Sequence, residues 1–402
     1  MAGKLPRVIV KPGREKSLLQ RHPWLFSGAV DRVEGEPEPG GVAEVFSASG
    51  DYLATAGWSP HSQLRCRVWS FRRDERIDRE FFRRRLKKCA ALRRELHLDD
   101  PSGGCRLVYS EGDGLPGLIV DRFGAYGVVQ FLSYPAEYFR EIIVPELLDV
   151  FGLAGLYERS DAGVRGKEGL SAVSCQLAGA EVPRQVVIVE DGLRFQADLH
   201  CGQKTGFYFD LRKVRKTVGQ LAAGRRVLNA FSFTGGFACA ALRGGAASVI
   251  NLDSSRPALQ QATENLRLNG FAAGQWENQV CDTFTELKAR REAGEQFDLV
   301  ILDPPKLIES RDALTRGCRA YQFLARQGFG LLREGGILLN MSCSGLMPPE
   351  LLQKITHDAA LEAGCAAQLI GTVRQAADHP VALNVPETAY LKGFISLVAS
   401  KA

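Results

Sequence analysis

The chain has 402 residues, of which 45% are hydrophobic and 24% charged, with a formal net charge of +5 at pH 7. That length predicts two or three domains with ordinary cores. No apolar run reaches the ~20 residues of a membrane span, and Met1–Pro12 has scattered charges without the apolar core of a signal peptide, so a cytoplasmic protein without membrane contact is expected. Ten dispersed cysteines, with no Cys-x-x-Cys pair and no Cys/His cluster at zinc spacing, argue against a disulfide or zinc framework and predict free thiols and no metal.

The charge is uneven. Residues 1–100 hold 20 Lys and Arg against 14 Asp and Glu, whereas the remainder holds 31 against 32. Residues 1–74 read as a small β-rich domain, with short runs at Val8–Val10, Gly41–Phe46, Tyr52–Ala56 and Leu64–Ser70 split by Pro and Gly turns. Residues 75–185 read as an α+β middle domain. It opens with an amphipathic helix over Asp78–Leu96, with Phe81, Phe82, Leu86, Cys89 and Leu92 on one face. Its other face belongs to the run from Arg72 through Arg94, part solvated helix surface and part candidate for a polyanion. Strands are expected near 106–109, 118–121, 126–131 and 155–159, with a helix over 136–151. The glycine-punctuated Asp161–Glu168 stretch reads as a mobile surface loop.

Residues 186–402 read as a third domain. It begins with a hairpin turning at Asp191-Gly192, followed by a loop at Cys201–Arg212 suited to lie against a cofactor. From Arg226 strands and helices alternate, which predicts a doubly wound, mostly parallel α/β sheet. Strands are expected at 226–231, 247–252, 278–281, 297–302, 336–341, 367–373 and 391–398, and helices near 236–243, 255–269, 283–292, 311–332 and 349–363.

Arg225–Asp253 is a βαβ unit with a glycine-containing first loop and a carboxylate ending its second strand, the arrangement that holds an adenosine-type cofactor. Asn229, Ala230, Phe231 and Phe233 stand where a dinucleotide fingerprint would need glycines. A pyrophosphate requires close backbone approach, so this bulkier loop favours S-adenosylmethionine over NAD. Further strand ends carry Asp282, Asp303 and Cys343. In a doubly wound sheet these line one crevice with Asp253. Asp253 is then placed for ribose hydroxyls, Asp282 for the adenine amine, and Asp303 and Cys343 for the substrate. Taken singly, Asp282 and Asp303 also suit helix caps or turns, and Cys343 a buried small side chain. Lys306 follows Asp303-Pro-Pro where an amine methyltransferase would carry a stacking aromatic. A ring carbon activated by a thiolate is therefore the better target.

Gln203–Arg212, Asn229–Phe237, Asp303-Pro-Pro-Lys306, Ser342-Cys-Ser-Gly-Leu-Met347 and Arg374–Pro380 resemble the bacterial large-subunit rRNA 5-methylcytosine methyltransferases of the RlmI type. Gly13-Arg14 and His22-Pro-Trp-Leu-Phe26 are similar to that family's PUA domain, and Gly112–Asp121 to its middle domain, so the resemblance spans nearly the whole chain. It implies a PUA-like RNA-binding domain before a Rossmann-like methyltransferase domain, S-adenosyl-L-methionine as cofactor, and 23S rRNA or a large-subunit precursor as partner, with room for a homodimer. Cys343 matches the nucleophile and Asp303 the residue at the cytosine ring. Phe231, Ser232, Thr234, Gly235, Asp253, Ser254, Asp282, Thr283 and Asp303 match the cofactor site, and Lys204, Thr205, Phe207 and Asp210 a loop closing over it. Lys306, Arg72, Arg73, Arg84 and Lys167 are candidates to contact RNA. Better-known RNA 5-methylcytosine enzymes carry a second cysteine after Pro-Pro. Lys306 stands there, leaving water or Asp303 to take the C5 proton. Asp378 and His379 fit either a place near the target base or a buried turn. The competing functions are N2-guanine or other rRNA base methylation, dinucleotide-dependent oxidoreduction, and non-catalytic RNA binding.

Overall fold

The computed structural model describes residues 5–401, so the start of the Met1–Pro12 stretch lies outside it. Two compact units emerge. The first takes the chain up to Ile188 together with Ala197–Asp210 and Ala377–Thr388. The second takes Val189–Gln196, Leu211–Ala376 and the chain from Ala389.

The first unit opens with β1 (Arg7–Val10), a short α1 (Lys16–Leu19), β2 (Trp24–Phe26), β3 (Val30–Glu34), β4 (Val42–Phe46), β5 (Tyr52–Trp58) and β6 (Leu64–Ser70). They form one sheet in the order β2-β6-β5-β4-β1-β3, and Val8, Val10, Leu25, Val45, Ala54 and Val68 fill its core. β2 and β3 were not among the expected strands. β2 is only three residues long, and β3 is an edge strand whose Asp31, Arg32 and Glu34 are exposed, so neither carries an apolar alternation.

α2 (Arg79–Glu95) begins where Asp78 accepts from the Phe81 amide at 3.0 Å. Its buried Phe81, Phe82, Leu86 and Cys89 pack against a second sheet. That sheet comes from β7 (Gly104–Tyr109), β8 (Leu118–Phe123), β9 (Tyr126–Phe131), β10 (Gly155–Ser160) and β11 (Val173–Gly179), ordered β11-β10-β9-β8-β7. α3 (Tyr134–Tyr138) and α4 (Arg140–Phe151) supply the expected helix in two pieces. Trp69 joins this core rather than the N-terminal one.

Two expectations change here. The Asp161–Glu168 stretch is not a mobile surface loop, because it holds the short helix α5 (Val164–Glu168) with Arg165 and Glu168 buried. Glu168 makes a two-pronged ion pair with Arg67 of β6 at 2.9 and 3.0 Å, and also accepts from Ser59. Nor is the basic run a bare cationic face. Arg83 pairs with Glu146 and Asp149 of α4, Arg84 and Arg85 with Glu75, and the buried Arg93 with Asp113 at 2.7 Å. Glu146, Asp149 and Asp113 are remote in sequence, so the run alone does not disclose them.

β12 (Gln185–Glu190) and β13 (Leu193–Asp198) form the hairpin, with φ of +49° at Asp191 and +77° at Gly192. Asp-Gly tolerates that left-handed pair. The second unit continues with α6 (Arg212–Leu221), an element outside those expected. The alternation follows as β14 (Arg226–Ala230), α7 (Gly236–Arg243), β15 (Ser248–Asp253), α8 (Arg256–Leu268), β16 (Trp276–Val280), α9 (Thr283–Glu292), β17 (Phe297–Leu302), α10 (Leu314–Leu331), β18 (Leu332–Ser342), α11 (Pro349–Glu362), β19 (Cys365–Arg374) and β20 (Lys392–Lys401). The sheet order is β16-β15-β14-β17-β18-β20-β19. Its first five strands are parallel, while β20 runs antiparallel to both β18 and β19. The strand order reverses at β14, so a crevice opens at the carboxyl ends of β14 and its neighbours β15 and β17.

Candidate active site

Register puts the carboxyl ends level: Ala230 pairs with Leu252 and Leu302, Asp253 with Val280, and Leu302 with Asn340. Asp253, Asp282, Asp303 and Cys343 therefore stand at the same edge of the sheet, each at or just after a strand end.

The loop after β14 is tightly wound. Phe231 and Phe233 have φ of +60° and +48°, and Gly235 has φ +76°. Left-handed non-glycine residues cost on the order of 1–2 kcal/mol each and need external support. Asp253 supplies it. One carboxylate oxygen accepts the Phe233 amide at 2.8 Å and the other accepts Ser255 at 2.8 Å. Asn265 of α8, fully buried, donates to the Thr234 carbonyl at 2.9 Å and accepts the Gln196 amide at 2.8 Å. Asp253 is thus fixed in orientation, and a carboxylate with two accepted bonds retains lone pairs for further donors. Ser232 Oγ is buried without a hydrogen-bond partner among the described residues, a polar atom suited to a ligand that fills the loop. The Phe231 ring meets Phe284 edge-on at 5.7 Å, giving an apolar wall.

Asp282 caps α9, where its Oδ1 accepts both the amide and the hydroxyl of Thr285. Those bonds hold its carboxyl below the usual range. Thr283 is buried at the start of the same helix, and Ser254 is exposed between Asp253 and the capping Ser255. Asp303 is half-buried, whereas Lys306 is exposed three residues on.

Around Cys343 the structure brings in two side chains that the sequence reading did not single out, Tyr321 and Lys392. Ser342 Oγ donates to the Tyr321 hydroxyl of α10 at 2.8 Å, and Ser344 Oγ lies 3.3 Å from the same hydroxyl. Lys392, the first residue of β20, pairs in register with Ser342 and donates to the Ser344 carbonyl at 2.6 Å. It is only 8% exposed. Burial pushes its ammonium down to about 8, while a negative charge on the neighbouring Cys343 would act the other way. Burial raises the Tyr321 phenol, its hydroxyl partners oppose this, and a negative charge on Cys343 would add to the rise. The only warning in the sequence was a lysine opening an apolar strand.

The remaining expected residues fall in the first unit. Thr205 donates to Asp121 at 2.5 Å, and Asp121 also pairs with Arg106 at 2.6 Å. Lys204 lies 3.5 Å from Asp210 and over the Tyr208 ring, and Phe207 is buried against Phe209. Arg72 and Arg84 are exposed but paired with Asp74 and Glu75, Arg73 lies over Tyr52 and Phe46, and Lys167 is exposed. Asp378 and His379 form a buried turn. Asp378 accepts the Arg106 amide, its backbone carbonyl accepts from Arg93, and its other carboxylate oxygen lies 2.9 Å from His379 Nδ1. All ten cysteines are free. Among the described residues no group of three or more His, Cys, Asp or Glu side chains is placed to hold a metal, and no helix is long and apolar enough to cross a membrane.

A family model described as S-adenosylmethionine-dependent methyltransferase matches residues 169–386, and a PUA-like domain model matches residues 8–71. A solved S-adenosylmethionine-dependent methyltransferase from Streptococcus mutans shares the fold at TM-score 0.84 and 23% identity, covering 98% of this chain and 100% of that one. A second solved methyltransferase, complexed with S-adenosylhomocysteine, matches equally well. Fold and site together define an S-adenosylmethionine-dependent methyltransferase with an N-terminal PUA-like domain. The ribosomal RNA large subunit methyltransferase I of Erwinia tasmaniensis is 47% identical over 388 residues, 96% of this chain and 98% of its own, and that of Serratia proteamaculans is 46% identical over the same span. The chain belongs to the ribosomal RNA large subunit methyltransferase I family.

Proposed function

We propose that the protein methylates C5 of a cytosine in large-subunit rRNA, with Cys343 adding to C6 of the ring and Asp303 assisting beside it. One observation carries this reading. Cys343 directly follows β18, beside β17 and its Asp303-Pro-Pro-Lys306 end, and is flanked by Ser342 and Ser344, which a buried tyrosine and a buried lysine hold in place. S-adenosylmethionine, when bound, supplies an electrophilic methyl group on a sulfonium and so needs a nucleophilic acceptor. C5 of a pyrimidine becomes one only after addition at C6. Cys343 supplies the sulfur for that addition. Asp303 holds the ring orientation, and Asp253, Ser232 and the Phe231–Gly235 loop hold the cofactor. The N-terminal PUA-like domain, with the exposed Arg72, Arg73, Arg84 and Lys167 of the first unit, binds the RNA backbone.

The test is transfer of a radiolabelled methyl group to undermethylated 23S rRNA, followed by nucleoside digestion, for wild type and Cys343→Ala in parallel. Label in 5-methylcytidine that vanishes in the variant is expected. Label in N2-methylguanosine, or turnover independent of Cys343, would overturn the assignment.

A further inference from the structure

The reading of Cys343 as the nucleophile raises a question that its own residue does not answer. A thiol with an ordinary pKa of about 8.5 is only a few per cent thiolate at neutral pH. Reactive cysteines are found beside a fixed positive charge, an adjacent base, or a helix N-terminus. Cys343 is not at a helix N-terminus: α11 begins only at Pro349.

Among the described residues, titratable side chains reach this corner from several elements. Tyr321 faces it from α10 and is neutral, with its phenol raised further. Asp303 comes from the end of β17 and bears the wrong sign. Lys392 comes from β20 and is a cation within electrostatic reach of the thiol. Its stem is buried, its carbon chain lies alongside Ser342 by strand register, and its ammonium is tied to the Ser344 carbonyl. That bond spans Cys343, since it joins the residue after the cysteine to the strand beside the residue before it. A buried lysine without a carboxylate partner is costly and calls for a reason. The carbonyl is a neutral acceptor and does not by itself compensate a full charge. A thiolate does.

We propose that Lys392 is a positioning residue for methyl transfer: it holds the Ser342–Ser344 turn and keeps Cys343 as a thiolate by placing a buried ammonium beside it. The inference rests on Cys343 being the nucleophile. Lys392 stays protonated throughout. The thiol gives its proton to solvent, and the sulfur forms a bond to C6 as the C5–C6 π pair moves towards C5. After methylation the S–C6 bond breaks as the C5 proton leaves to a base other than Lys392, and the thiolate returns to its ammonium. Because burial has already brought Lys392 to about 8, this assistance fades as pH rises through that value.

The experiment measures alkylation of the full-length protein by iodoacetamide between about pH 5.5 and 9, with the Cys343 peptide quantified by mass spectrometry so that the other nine cysteines do not interfere. In wild type the half-maximal rate is expected at least about one unit below the ordinary thiol value near 8.5. Lys392→Met is expected to move it up by about one unit or more, a tenfold slower reaction at neutral pH, and to lower kcat with little change in the KM for rRNA. Lys392→Arg should restore part of both. A wild-type midpoint at or above about 8.5 overturns the proposal without any variant, as does an unchanged midpoint in a folded Lys392→Met protein. The two readings fail separately. If Cys343→Ala kept turnover, the nucleophile assignment would fall. If Cys343→Ala lost turnover while Lys392→Met left the alkylation profile unmoved, only the role of Lys392 would.

Discussion

Adjacent glycines in the loop proposed to hold the cofactor should respond very differently to the same added methyl group. Gly235 has φ +76°, and a Cβ built there would stand 3.0 Å from the Ala262 Cβ and 3.4 Å from its Cα on α8. Alanine in the left-handed region costs roughly 1–2 kcal/mol, and pressing a methyl against a helix adds about 1–3 kcal/mol of overpacking. Gly235→Ala should therefore destabilise by about 2–5 kcal/mol, a fall of roughly 4–20 °C in Tm for a unit of this size. Gly236 opens α7 with ordinary φ, where alanine gains up to about 1 kcal/mol of helix propensity. Its Cβ would meet only the Arg215 Cδ at 3.2 Å, and the two-pronged bond of Arg215 to Glu190 limits how far that chain can yield. Gly236→Ala should fall within about 1 kcal/mol of wild type. Urea denaturation measures stability, and calorimetry with S-adenosylhomocysteine measures binding. Binding should weaken at least tenfold in Gly235→Ala, because Ser232, Thr234 and the Asp253-bonded Phe233 amide belong to the same turn. Equal stability of the two variants would refute the reasoning from backbone geometry.

Breaking the buried Arg67–Glu168 pair with Glu168→Gln leaves an uncompensated guanidinium, so stability should drop by about 3–5 kcal/mol in thermal melts near neutral pH. Burial raises the Glu168 carboxyl, but Arg67 and its other hydrogen-bond donors outweigh that and leave it below the ordinary value. Its contribution is consequently present above the unfolded carboxyl's pKa near 4.5 and lost as pH falls through the lower folded value. Glu168→Gln should flatten that acid limb in denaturation curves taken from about pH 3 to 6. Asn251→Leu removes the middle of a ladder in which Asn229 donates to Asn251 and Asn251 to Asn278, each at 2.8 Å. A loss of about 2–5 kcal/mol is expected by urea titration. Asn265→Leu deletes the tie to Thr234, and should weaken S-adenosylhomocysteine binding more than Asn251→Leu does when both are measured by calorimetry.

The doubly wound sheet was legible because parallel strands buried on both faces read as apolar runs, as in Phe297–Leu302, and because Pro257 and Gly270 bracket α8. The carboxyl-end acids were legible for the same reason, since strand ends are where this topology collects side chains. What escaped was whatever depended on a distant partner. Whether Arg93 faces water or Asp113, and whether Glu168 lies in a loop or under Arg67, is decided across roughly twenty and one hundred residues of chain. α6 escaped because its apolar face, Val214, Val218 and Leu221 at helical spacing, is short and lies among Arg212, Lys213, Arg215 and Lys216. Lys392 looked like an ordinary strand boundary.

The two halves of the crevice are built on different physical principles, and this explains why one was easier to read. On the side proposed to hold the cofactor the chain uses its backbone. The turn is strained at Phe231 and Phe233, and Asp253 and Asn265 use hydrogen bonds to hold that strain, so the pattern of glycine and acid announces itself in sequence. On the Cys343 side the ends of β18 and β20 are stitched by hydroxyls and a buried ammonium: Ser342 to Tyr321, and Lys392 to the Ser344 carbonyl. Tyr321 and Lys392 are common residues, and neither forms a motif with its sequence neighbours. Because β20 is inserted antiparallel between β18 and β19, its first residue arrives at the same edge as the last residue of β18. A parallel strand in that place would bring its amino end to the opposite edge. The reversed strand is therefore what brings Lys392 of the carboxyl-terminal segment to the same edge as Cys343, and in the mechanism proposed above the topology of the sheet becomes part of the chemistry of the site.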